Sequence, residues 1–111
     1  MRSQSLLVDG SPVGPVLVAD TYWTRLRGML GRRTLPAALL LTPANSVHGM
    51  GMTQPLDVAV LDAAGTVLDV RVLRPMRMTR AVSGGRQVLE APAGSFVRWG
   101  VRPGSVVATS A

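Results

Sequence analysis

The chain has 111 residues, no cysteine and a formal net charge of +6. That length suits one domain, and 47% apolar residues can fill a core, which argues against disorder. The lack of thiols excludes disulfides, thiolate metal sites and a cysteine nucleophile.

Residues 5–8 and 15–19 read as two strands, with turn chemistry in Asp9-Gly10-Ser11-Pro12 between them. Asp20 or Thr21 is placed to cap a helix whose apolar stripe is Tyr22, Trp23, Leu26, Met29 and Leu30. Arg32 and Arg33 suit its C-terminal end, and Gly31 is a plausible stop. Residues 37–41 form a short apolar run, the mark of a buried strand. Pro43-Ala44-Asn45-Ser46 breaks it and leads into the glycine-loosened stretch Val47 to Met52. Residues 57–62 and 66–73 read as a hairpin turning at Ala63-Ala64-Gly65. Residues 74–86 read as an extended loop, and 87–91 as a strand. A short helix over 95–99 ends at Gly100, and a last strand covers 105–108. The expected fold is therefore α+β: a curled, mostly antiparallel sheet or partial β-barrel of six to seven short strands with two short helices, as a single domain over 1–111.

No apolar run approaches the roughly 18 residues of a membrane span. The stretch Leu6-Leu7-Val8 is too short for a signal-peptide core, so a soluble cytoplasmic protein is expected. All twelve basic residues are arginine. Guanidinium groups favour phosphate, nucleic acid or other anions. A GC-rich genome would give the same bias through its codons, and the sequence leaves both explanations open. Only four aromatic residues occur, Tyr22, Trp23, Phe96 and Trp99, too few for interleaved base-stacking platforms.

Four stretches carry a resemblance. They are Arg25-Leu26-Arg27-Gly28-Met29-Leu30-Gly31-Arg32 with Leu35-Pro36; Ser46-Val47-His48-Gly49-Met50-Gly51-Met52 with Pro55-Leu56-Asp57-Val58; Leu61 to Val67; and Val88-Leu89-Glu90 with Ala93-Gly94, Gly100-Val101 and Pro103-Gly104. In this order they resemble the domain-of-unknown-function family one-nine-two, in its Ser-Ile-His-Thr-x-x-Met branch, over about residues 18–108. The resemblance implies a mixed β structure with small helices and brings no established activity or catalytic residue. Gly49, Ala44 and Ser105 depart from the threonine, cysteine and aspartate common at those positions.

The residues themselves suggest three chemistries. First, the only histidine, His48, could meet Asp57 or Asp62, and a carboxylate-oriented imidazole is a general base. The structural alternative is a histidine bonded to loop backbone while Asp57 caps a turn. Ser46 precedes no nucleophile elbow. Second, His48, Met50 and Met52 alternate, a soft donor set for Cu(I). Methionines that fill core gaps give the same pattern, and no metal is assigned. Third, Arg71, Arg74, Arg77 and Arg80 recur every third residue, which in a polyproline-like stretch puts them on one face. A solvated edge would look the same.

These readings converge on a small non-enzymatic binding or accessory domain. Its expected site is the 46–57 segment, with His48, Met52 and Asp57 joined by Arg74 and Arg77. Two alternatives stand beside it: a hydrolase-like enzyme using His48 and a carboxylate, and a basic nucleic-acid-associated domain. No cofactor is expected, and the expected partner is a small molecule or a protein.

Overall fold

Turn residues and apolar runs divide the chain as their spacing suggests. The computed structural model describes residues 2–21, 36–46 and 54–111. Within them lie β1 (Arg2–Val8), β2 (Ser11–Ala19), β3 (Leu39–Leu41), β4 (Leu56–Leu61), β5 (Val67–Leu73), β6 (Gln87–Pro92), the helix α1 (Ser95–Trp99) and β7 (Val107–Ser110). They form one sheet in the order β5-β4-β6-β3-β2-β1-β7. Its pairings are antiparallel except that of β2 with β3. The curled, mostly antiparallel sheet is thus observed. Of the two expected helices, α1 is the one found among the described residues, and the helix expected after Asp20 falls outside them. The last strand starts two residues later than expected, because Ser105 and Val106 are used in closing the sheet.

Local chemistry explains the strand joins. Asp9 and Gly10 have φ of 50° and 84° and link the paired residues Val8 and Ser11. This is the two-residue turn that an Asp-Gly pair favours, because its twist matches that of the strands. Pro12 and Pro15 lie in the part of β2 that β3 does not reach, so their missing N–H groups cost no ladder bond there. The β4–β5 hairpin is tied by Asp62, whose Oδ1 accepts the N–H groups of Ala64 and Thr66, both at 2.9 Å.

The two outer strands meet at one end, which makes a half-barrel. Val106 bridges Thr66. Val67 N–H donates to the Ser105 carbonyl and Val107 N–H to that of Gly65, both at 2.8 Å. Asp9 joins the same seam: its N–H donates to Val106, and its Oδ1 accepts the Val106 N–H.

Both faces of the central strands are buried. One cluster draws on all seven strands and is plugged by Phe96 of α1. The other lies on the opposite face of β2 to β6, around Leu39, Leu41, Leu56, Val58, Val60, Leu73 and Val88. All six residues of β4 are buried. Burial on two faces is why β3 is a continuous apolar run and why β4 is apolar at every position but Asp57.

Gly65 combines a φ of 91° with a backbone that a Cβ would drive into the Val107 carbonyl oxygen. Gly65→Ala should therefore cost about 3 kcal/mol, from left-handed strain plus the clash at the seam. Gly10→Ala, with similar φ but open space around it, should cost about 1 kcal/mol. Urea unfolding of both variants checks this, and equal losses would show that the seam is not tight.

Candidate functional site

Asp57 lies in β4, opposite Val72 of β5 and Ala91 of β6. Its position in the alternation puts it on the Phe96 side of the sheet. It is 7% exposed, and its Oδ2 accepts the N–H groups of Gly94 and Phe96, both at 3.0 Å. These are amides at the start of α1, where no intrahelical partner exists. Asp57 therefore caps this helix from a neighbouring strand. Asp62 holds the hairpin turn at the other end of β4, about 16 Å away by strand rise. The two carboxylates are not brought together. His48, Met50 and Met52 lie outside the described residues, and so does the His48–carboxylate pairing.

The arginines do come together. Arg71, Arg74, Arg77 and Arg80 all line one open hollow of about 270 Å³, with Val72, Leu73, Met78 and Thr79. The cause is not a polyproline run. Arg71 sits near the end of β5. The chain then turns, with Arg77 N–H donating to the Arg74 carbonyl at 3.2 Å. Pro75 fills the second position and Met76 the third, at φ 66°, the geometry of a type II turn. The turn folds Arg74 and Arg77 back beside Arg71. Further on, the loop is pinned: Asn45 Oδ1 accepts the Val82 N–H at 2.8 Å, and Arg86 N–H donates to the Leu61 carbonyl.

Charge in the hollow is only partly compensated. Arg71 Nε donates to Asp69 Oδ2 at 2.7 Å. Among the described residues, no carboxylate lies within ion-pair distance of Arg74, Arg77 or Arg80. The pairing of Leu56 with Leu73 brings the C-terminal end of the 46–57 segment to the start of this turn. Asp57 does not line the hollow.

The DUF192 family model, described as "Uncharacterized ACR", matches residues 7–109. The chain belongs to this family. Similar relatives are UPF0127 proteins: one from Pyrococcus abyssi is 33% identical over 86 residues, covering 73% of this chain and 74% of the relative. One from Thermococcus sibiricus is 32% identical over 87 residues, covering 73% of this chain and 56% of the relative. The match thus spans little more than half of that second protein. Two crystal structures share the fold. A Sinorhizobium meliloti protein described as a candidate transcription regulator has a TM-score of 0.80 at 21% identity, covering 97% of this chain and 94% of its own. A Novosphingobium aromaticivorans protein of unknown function has a TM-score of 0.74 at 18% identity, covering 96% and 82%.

Further polar side chains are buried. Ser105 is buried. Its Oγ accepts the Arg102 N–H at 3.2 Å and donates to the Gly100 carbonyl at 3.1 Å. Glu90, read in the sequence only as part of a motif, is a second carboxylate in the sheet, 3% exposed. It lies on the face opposite Asp57, between Leu39 and Val58. One acid inside the apolar run Val88 to Ala91 was the signal for it. Among the described residues, no helix is long and apolar enough to cross a membrane. Nor does any group of three or more His, Asp or Glu among them stand ready for a metal.

Removing the Asp57 cap should unfold more than the helix, since α1 carries Phe96 into the core. Asp57→Ala strands the buried Phe96 amide and should cost about 2–3 kcal/mol. Asp57→Asn keeps an acceptor oxygen and should cost about 1 kcal/mol. Urea titration of the two reads the difference. Equal, near-zero losses would remove the capping role.

Proposed function

We propose that this DUF192 chain is a non-enzymatic binding domain for a small anionic ligand, seated in the arginine-lined hollow beside the 46–57 segment. The observation that supports it is that four arginines line one concavity, with a carboxylate on Arg71 alone. Like charges repel unless a counter-charge arrives, so such a cluster gains from an anion. The free forks offer paired donors in the geometry phosphate and carboxylate accept.

The size of the hollow favours a small ligand, since pockets for drug-sized molecules run to roughly 300–1,000 Å³. His48 and Met52 lie outside the described residues and enter this reading from the sequence alone. Asp57 is better assigned to holding the scaffold, because both of its described bonds go to helix amides. The same engagement of Asp57 and Asp62 with backbone weakens the hydrolase reading, which needs a carboxylate available to His48. The nucleic-acid reading has less support. Of the described aromatics, Phe96 is buried and packs on Trp99 with ring centres 6.3 Å apart, on α1 rather than beside the arginines.

The test is a thermal-unfolding series with phosphate or citrate at constant ionic strength. Either anion should raise the midpoint of the parent chain, as any ligand of the folded state does. The double variant Arg74→Ala/Arg77→Ala should lose that rise while unfolding at the parent temperature without anion. A rise that survives in the double variant would place anion binding elsewhere.

A further inference from the structure

The lining of the hollow is not uniformly basic, and two of its apolar side chains stay in water. Val72 is 58% exposed and Met78 is 72% exposed, and both line the hollow. Their neighbour Leu73 is buried and belongs to the core. A surface meant only for inorganic ions gains nothing from exposed Val and Met at its wall. A ligand with an apolar portion next to its charge would remove them from water at about 25 cal/mol per Å².

The charged part is specific in number. Asp69 neutralises Arg71 through Nε, leaving Arg74, Arg77 and Arg80 to share the ligand's head. A single carboxylate has two oxygens in one plane and brings only one charge to three guanidinium groups. A phosphate monoester has three terminal oxygens and close to two charges at neutral pH, so it can engage several forks at once. We infer, resting on the anion-binding reading above, that the hollow takes a phosphate monoester with a small apolar substituent. Arg74, Arg77 and Arg80 bind its phosphate, and Val72 and Met78 receive its apolar part.

Calorimetric titration of the full chain at fixed ionic strength tests this with phenyl phosphate, inorganic phosphate and benzoate. Phenyl phosphate should bind about tenfold tighter than inorganic phosphate, the factor given by burying about 55 Å² of apolar surface. Benzoate should bind more weakly than either. Arg74→Ala, Arg77→Ala and Arg80→Ala should each weaken phenyl phosphate by about tenfold or more, and Arg71→Ala by clearly less. Val72→Ser/Met78→Ser should abolish the preference for phenyl phosphate while leaving inorganic phosphate affinity unchanged. Sedimentation with phosphatidic acid vesicles, against phosphatidylcholine alone, separates the sources of such a head. Arginine-dependent binding there assigns a lipid, and phenyl phosphate binding without it assigns a free organic phosphate. Tighter binding of benzoate or citrate, again dependent on the arginines, would overturn the phosphate assignment and leave the anion site standing. Tighter binding of a short single-stranded DNA through the same arginines would overturn it in favour of a polyanion track. If no anion binds in an arginine-dependent way, both readings fall together.

Discussion

Six consecutive residues of β4 are shut off from water between the two apolar clusters of the sheet, and that burial decides where polar chemistry can go. A buried polar or charged group without partners costs several kcal/mol. Asp57 survives in β4 because two helix amides meet its Oδ2. The interaction works both ways: it satisfies the carboxylate and anchors α1, whose Phe96 plugs the interior. A residue so committed has little left for chemistry. Charge that is to meet a ligand has to lie beyond the buried strands, and the end of β5 with its following turn is where four arginines gather.

The sheet depends on a second constraint at the opposite end of β4 and β5. Gly65, Thr66 and Val67 must run against 104–107 to bring the two outer strands together, and Asp9 stitches the first hairpin into the same seam. The seam fixes the start of β5. The bonds among Asn45, Val82, Leu61 and Arg86 fix the far end of the loop that follows it. The arginine turn is therefore held from both sides by packed structure, while its own side chains stay in water.

Much of this was legible in the sequence because it rests on local chemistry. Asp9-Gly10 and Ala63-Ala64-Gly65 mark their turns, and Gly94 and Gly100 bracket α1 with the positive φ values that glycine tolerates. Register was not legible, and the site follows from register. The period of three in Arg71, Arg74, Arg77 and Arg80 pointed to one face, but the face arises from a strand end and a type II turn with Met76 at its strained position. Nothing local told that Asp57 would cap a helix 37 residues onward, since that bond exists only because β4 lies beside β6. Glu90 was hidden for the same reason: its burial comes from strands on either side of it.

In the proposed function, Arg74, Arg77 and Arg80 act as one anion site. The most direct measurement follows the arginine Nε–H resonances by NMR during titration with inorganic phosphate. The signals of Arg74, Arg77 and Arg80 should move together along one saturating curve, with Arg71 moving less and Arg2, Arg98 and Arg102 hardly at all. Small, non-saturating shifts spread evenly over all of these arginines would contradict it.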